Sequence, residues 1–333
     1  MYKRQPYECD GLTAYRESPL AVAIPENEAQ AIAVLQTCAA AGIPVVPRGA
    51  GTGLSGGALP HSQGILMSME KMRAIVRIDP DAQLAVVQPG VRNLAISEAA
   101  QSHGLYYAPD PSSQVACTIG GNVAENSGGV HCLKYGLTVH NILKLEIITM
   151  QGEQLTIGSN SLDSPGYDLL ALMTGSEGLL GIITEITVKL LPAPAAAKVM
   201  LASFDDVATA GQAVSNVIAQ GIIPAGLELM DNAAIRAADD FVNAGYPRDA
   251  VAILLCEIDG STEEVDDQLQ KAQKVLEQSG ATEIRIAHDE QERLKFWAGR
   301  KAAFPAVGRL APDYYCMDGT IPRYQIAEVL TRI

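Results

Sequence analysis

The stretch Pro47-Arg48-Gly49-Ala50-Gly51-Thr52-Gly53-Leu54-Ser55-Gly56-Gly57 holds five glycines in eleven residues and follows the β-like run Ile43-Pro44-Val45-Val46. Glycine at that density permits positive φ and lets the backbone approach a ligand closely. Successive N–H groups then converge on an anion, as in the backbone nests that hold phosphate. Thr52 and Ser55 add hydroxyl donors. The chemistry expected here is a pyrophosphate cradle, with a mobile glycine loop as the plainer alternative. Gly51 to Gly56 also spells G-x-G-x-x-G, but that fingerprint must follow the first strand of a βαβ unit and open a helix. Gly56-Gly57 and then Pro60 leave no room for one.

Two further stretches have the same character. One runs from Pro109-Asp110-Pro111-Ser112-Ser113 to Thr118-Ile119-Gly120-Gly121-Asn122-Val123-Ala124-Glu125-Asn126-Ser127-Gly128-Gly129. Read as a loop of glycines and short hydroxyl or amide side chains, it suits close wrapping of a polar ligand. Asp110 and Glu125 have an equally good role as turn or capping residues. The other stretch is Gly175-Ser176-Glu177-Gly178-Leu179-Leu180-Gly181-Ile182-Ile183.

The elements that position these stretches are legible from pattern. Ala21 to Ile24 reads as a strand, and a helix that Pro25 can open runs to Gly42. Ile43 to Pro47 is the next strand, so the first glycine stretch ends a small βαβ unit. Ala74 to Asp79 and Leu84 to Gln88 form a hairpin around Asp79-Pro80-Asp81. A helix through Leu94, Ile96 and Ala99 ends at Gly104. Strands over Leu143–Met150 and Gln154–Ile157 precede a short helix at Leu169, Leu170 and Met173. Ile182 to Leu190 is a strand leading to the linker-like Pro192-Ala193-Pro194-Ala195-Ala196-Ala197.

Beyond it, strands at Val199–Phe204, Gly226–Met230, Val251–Ile258 and Glu283–Ala287 alternate with helices at Val207–Ala219, Glu263–Gln278 and from Glu290 through Lys301. Tyr314 to Asp318 is a last strand candidate, and Gln325 onward reads as helix. The chain stops at Ile333 inside that pattern without cap or breaker, and reads as part of a longer protein. Two domains are expected, 1–194 and 195–333.

The 333 residues, 48% hydrophobic, suffice for large cores. The net charge of −14 carries no basic block, which argues against nucleic acid and against an anionic membrane surface. No run of about 18 uncharged apolar residues suggests membrane insertion. Cys9, Cys38, Cys117, Cys132, Cys256 and Cys316 are scattered without a C-x-x-C pair, so zinc or iron–sulfur ligation within the chain is not expected. Reduced, cytoplasmic thiols are the simplest reading. The five histidines form no metal-spaced pair, and His131 and His140, which flank the second stretch, are expected to fill ordinary polar roles.

In order and spacing the three stretches resemble the FAD-binding domain of the PCMH-type (vanillyl-alcohol oxidase) flavoprotein family over about Pro19 to Pro194. Within it they are most similar to the D-2-hydroxyacid dehydrogenase branch, which includes the FAD subunit of bacterial glycolate oxidase. Phe296-Trp297-Ala298-Gly299-Arg300-Lys301 and Asp318-Gly319-Thr320-Ile321-Pro322 resemble the substrate domain of that branch. The resemblance implies an α+β fold: a PCMH-type FAD-binding domain, made of a small βαβ subdomain and a larger mixed one, then a C-terminally truncated substrate domain.

It also implies site residues. The backbone amides of Arg48, Gly49, Ala50, Gly51, Thr52, Gly53, Leu54 and Ser55 would hold the FAD pyrophosphate. Pro109, Asp110, Pro111, Ser113, Thr118, Gly120, Gly121, Asn122, Glu125, Asn126, Gly128 and Gly129 would line the isoalloxazine and its linker. Glu177, Gly178, Ile182 and Ile183 would face the ribose or adenine end, and Arg300 would grip the substrate carboxylate. No histidine stands in the first stretch, so the FAD is expected to be non-covalent. The branch's metal-binding histidines have no counterpart here; a divalent metal and the catalytic base would belong to the missing C-terminal part.

The expected activity is FAD-dependent oxidation of a small 2-hydroxy acid, glycolate or D-lactate, to the 2-oxo acid. Electrons would leave to additional oxidase subunits, an iron–sulfur subunit among them, and any place at the membrane would come through those partners. A D-lactate or D-2-hydroxyglutarate dehydrogenase is the rival within the class. A flavin-nucleotide-binding module without turnover is the rival outside it.

Overall fold

In the computed structural model, residues 4–161 and 166–310 are described. The expected strand at Tyr314–Asp318, the helix from Gln325 and the Asp318–Pro322 motif lie outside them. The chain divides into two compact units, Met1–Ala193 and Pro194–Ile333.

The first unit opens with β1 (Ala21–Ala23), α1 (Glu28–Ala41), β2 (Val45–Arg48) and β3 (Ile65–Ser68). Asn27, not Pro25, caps α1: its side chain accepts from the Gln30 amide at 3.0 Å, meeting one of the orphan donors of the first turn. The three strands form a parallel sheet in the order β1-β3-β2. The middle strand, β3, does not appear in the expected elements. Leu66, Met67 and Ser68 are all buried, so this short strand lacks the alternation that marks a half-exposed one.

Next come β4 (Ile75–Asp79), β5 (Leu84–Val87), α2 (Asn93–Ala100), β6 (Leu105–Tyr106), α3 (Ile119–Glu125), α4 (Cys132–Tyr135), β7 (Ile142–Ile148), β8 (Gln154–Gly158), α5 (Leu169–Met173), β9 (Ile182–Lys189) and β10 (Leu191–Pro192). Five strands form an antiparallel sheet, β4-β5-β9-β7-β8. Its core includes Val87, Leu145, Ile186 and Val188, packed with Ile96 of α2 and Val123 of α3.

The second glycine stretch is thus not loop throughout. Part of it is α3, whose Gly120 sits where a Cβ would lie 2.6 Å from Pro89 Cβ. Glycine there allows close packing of the helix backbone and does not mark a turn.

The second unit runs β11 (Ala196–Phe204), α6 (Val207–Ala219), β12 (Gly226–Asp231), α7 (Asn232–Val242), β13 (Ala252–Gly260), α8 (Thr262–Gln278), β14 (Glu283–Ile286) and α9 (Glu290–Leu310). Its antiparallel sheet has the order β12-β13-β11-β14. Ala252, Leu254, Cys256 and Ile258 of β13 share a core with Ala213 and Val217 of α6 and with Val265 and Leu269 of α8. Alternation sends Ile253, Leu255 and Glu257 to the opposite face. All of these are buried, which explains the unbroken apolar run.

Two expectations change here. Ala196 and Ala197, expected in a linker, are paired with Gly260 and Asp259, because β11 begins at Ala196. Helix α7 is additional, capped by the Asp231 side chain on the Ala234 amide at 2.9 Å.

Candidate cofactor-binding site

Strand β2 delivers the first glycine stretch to one side of a cavity of about 400 Å³ in the first unit. No helix follows it; residues 49–64 are loop and turn. The amides of Gly49, Ala50, Gly51, Thr52, Gly53, Leu54 and Ser55 meet no acceptor among the described residues. Backbone N–H groups are strong donors, and those of Gly49 to Gly53 belong to residues that line the cavity. Of the expected residues, Arg48 through Gly53 line the cavity. Leu54 and Ser55 do not: both are exposed, and the Ser55 hydroxyl donates to Glu125 at 3.0 and 3.2 Å.

Arg48 contributes backbone. Its guanidinium turns back to donate to the Cys9 carbonyl at 2.8 Å and the Ala58 carbonyl at 3.4 Å. A Cβ on Gly51 would strike it at 2.1 Å, and Gly51 has φ +69°.

The second wall comes from α3 and its flanks: Pro111, Ser113, Thr118, Gly120, Gly121, Asn122, Glu125, Asn126 and Gly128. Thr118 Oγ1 is buried with no hydrogen-bond partner among the described residues, and the buried Asn122 amide has only the weak Cys117 thiol beside it. Orphaned polar atoms on a cavity wall carry a desolvation penalty that a polar ligand relieves. Burial holds the Glu125 carboxyl above the ordinary 4.5; the charges of Glu177 and Asp10 act the same way, and the Ser55 hydrogen bond opposes them.

Pro109, Asp110 and Gly129 do not line the cavity. Asp110 takes the turn role: it accepts from the His131 amide at 3.2 Å and pairs with His131 Nδ1 at 3.0 Å. Gly129 packs against it, for a Cβ there would lie 2.5 Å from Asp110 Oδ1. His140 accepts the Leu137 amide on Nδ1 at 3.0 Å, an ordinary turn contact.

The third stretch closes the cavity with Glu177, Gly178, Ile182 and Ile183. It is pinned to α3 by Gly175 N donating to Val123 O and Glu177 N to Ala124 O, each at 2.8 Å. Glu177 is left-handed at φ +52°, a costly conformation for a residue with a Cβ. A Cβ on Gly57 would lie 3.0 Å from a carboxylate oxygen of both Glu125 and Glu177, so these two acids converge at one corner. Sequence reasoning missed Asp10, Cys117 and Met69 on the wall; none stands in a recognisable motif.

These features fit a dinucleotide: a row of free amides for the pyrophosphate, an orphaned hydroxyl, a weakly partnered side-chain amide, and carboxylates suited to accept from sugar hydroxyls.

In the second unit, Arg300 lies on α9 and is mostly buried. Its Nε and Nη2 both reach Glu228 Oε2, at 2.9 and 2.8 Å. Neighbouring Arg293 and Trp297 donate to the buried Glu257, Arg293 Nη1 at 2.7 Å. Among the described residues, no group of three or more His, Cys, Asp or Glu could hold a metal ion, and no helix is long and apolar enough to cross a membrane.

Residues 19–158 match the FAD binding domain family, and residues 193–333 match the C-terminal domain of FAD linked oxidases. The chain is 63% identical over 328 residues to the glycolate oxidase subunit GlcD of Escherichia coli K12, covering 98% of this chain and 66% of that protein. It is 39% identical to the Bacillus subtilis GlcD subunit, covering 99% and 70%. A D-lactate dehydrogenase of Anaerostipes hadrus is 34% identical, with 90% and 64% covered. The chain therefore spans about two thirds of the length of these relatives. Alkyldihydroxyacetonephosphate synthase shares the fold, at TM-score 0.71 and 20% identity, over 87% of this chain and 57% of that one. The chain is an FAD-binding protein and belongs to the FAD-linked oxidase family.

Proposed function

We propose that this chain holds FAD non-covalently in the cavity of its first unit and serves an oxidase that converts glycolate to its 2-oxo acid. The observation that carries the cofactor half is the run of seven acceptor-free amides from Gly49 to Ser55. Those facing the cavity supply donors for the pyrophosphate. Thr118 and Asn122 would meet polar atoms of the flavin half, and Glu125 and Glu177 would accept from hydroxyls. No histidine stands in residues 48–57 to form a covalent link.

Bound FAD supplies a hydride acceptor, and the rest of the chemistry falls to positioning. Residues 1–194 would form the cofactor domain and 195–333 the substrate domain. Arg300 is the proposed substrate-carboxylate ligand. Glu228 holds two of its donors, and Nη1 has no partner among the described residues, which leaves one edge of the guanidinium for an anion. The relatives are named as subunits; an iron–sulfur partner that takes the electrons, and placement at the membrane through such partners, are part of the proposal. The D-lactate dehydrogenases among the relatives support D-lactate as the second substrate.

The test is purification of the protein at the full length of its relatives, followed by anaerobic addition of glycolate or D-lactate. The protein should be yellow, should release its flavin in acid, and should bleach with glycolate. Flavin retained on the denatured polypeptide would refute the non-covalent link, and a yellow protein that no 2-hydroxy acid bleaches would refute the oxidase.

A further inference from the structure

Residues 4–18 precede the region that matches the FAD binding domain family, yet part of this segment is built into the first glycine loop. Asp10 is 6% exposed and lines the cavity. Its Oδ2 accepts from the Gly56 amide at 3.0 Å and its Oδ1 from the Leu12 amide at 2.9 Å. The preceding carbonyl, of Cys9, accepts from Arg48 Nη1 at 2.8 Å. The same guanidinium stands 5.7 Å from the centre of the Tyr7 ring. The following residue, Gly11, is pressed onto the loop so closely that a Cβ would lie 2.9 Å from Thr52 O and 2.8 Å from Gly53 O. Four residues of this short segment, Tyr7, Cys9, Asp10 and Gly11, thus touch the loop or the Arg48 that starts it.

We propose that Tyr7–Gly11 is a latch that orders the glycine loop before FAD arrives, with Asp10 as its positioning residue. This rests on the reading of the cavity as the FAD site. A loop with five glycines loses more backbone freedom on ordering than the same loop built of other residues. A loop already held in its binding shape spares the ligand that cost. Asp10 is suited to this because both its oxygens are committed to amides: a carboxylate accepting backbone N–H groups makes charge-assisted bonds, stronger than those of a neutral acceptor. Gly56 is left-handed at φ +81°, and the bond from its amide fixes the end of the loop from which the chain turns away.

The test compares wild type, Asp10→Ala and Asp10→Asn in the whole chain, by two readouts. Hydrogen exchange of the peptide spanning 49–57 is followed without FAD, and FAD affinity is measured by quenching of flavin fluorescence. The latch predicts that Asp10→Ala speeds exchange at the Gly56 amide, the loop amide that Asp10 bonds, while the sheet β4-β5-β9-β7-β8 keeps wild-type protection. FAD binding should weaken at least about tenfold, and Asp10→Asn should fall between, since it keeps one acceptor oxygen. Unchanged loop exchange in both variants overturns the proposal, as does faster exchange spread through that sheet, which would make Asp10 a general stabiliser. Should Asp10→Ala not fold, Asp10→Asn decides by the same criteria. If wild type itself binds no FAD, the parent reading fails, and the exchange comparison alone still decides whether the latch exists.

Discussion

Gly49 and Thr118 stand so close that a Cβ on Gly49 would lie 2.3 Å from Thr118 Oγ1. This joins the first glycine stretch to the N-cap of α3 and sets the width of the cavity between them. Gly49→Ala should cost about 1–3 kcal/mol by overpacking and abolish FAD binding. Adding Thr118→Ala, which removes the obstructing hydroxyl, should recover most of the stability. Urea denaturation checks both, and a Gly49→Ala variant as stable as wild type contradicts this packing.

Glu125 gives a pH prediction with a definite sign. Its carboxyl titrates above the ordinary 4.5 in the folded chain, chiefly through burial. As pH rises past the ordinary value, the unfolded chain ionises first, so the group costs stability progressively and costs most above its folded pKa. Glu125→Gln should therefore melt higher than wild type at about pH 7 without FAD, and the gain should vanish toward about pH 4. Equal melting temperatures at both would refute it.

Much of this architecture was legible from sequence, for physical reasons that also explain the misses. Helix α6 announces itself by period; α8 was read from Glu263 without its capping box, which Ser261 and Glu264 form in the structure. The β4–β5 hairpin follows from Asp79-Pro80-Asp81. Strand β3 was hidden because burial on both faces erases alternation. Helix α7 was missed although it is longer than α2, and although Asp231 before it and the left-handed Asn243 after it are boundary signals. In the site, composition pointed to the loops but not to which side chains face inward. Ser55 and Asp110 have the right chemistry for a ligand and spend it on Glu125 and His131. Asp10, far upstream, is brought in only by the fold.

In the second unit, Glu257 is 2% exposed in the middle of β13 and accepts from Arg293 and Trp297. Pairing with Glu290 and Glu257 pushes the Arg293 guanidinium pKa further up. Arg293→Ala removes one charged donor from that buried carboxylate, a loss of about 1.5–3 kcal/mol. Denaturant unfolding followed by Trp297 fluorescence reads this directly; a loss under about 1 kcal/mol would place the pair in the weak class of exposed ion pairs.

Arg300→Lys keeps the charge but loses the planar fork. Glycolate oxidation should lose about tenfold or more in kcat/KM, from about 1.5–3 kcal/mol for a hydrogen bond to a charged group, with flavin content unchanged. Wild-type kinetics would make Arg300 a structural partner of Glu228 alone.

In the proposed site the acceptor-free amides of Gly49 to Gly53, which line the cavity, hold the FAD pyrophosphate. Hydrogen exchange of that segment with and without saturating FAD tests it most directly. Strong FAD-dependent protection centred on residues 49–53, which line the cavity, is the expected result. FAD binding that leaves exchange in this segment unchanged would contradict it.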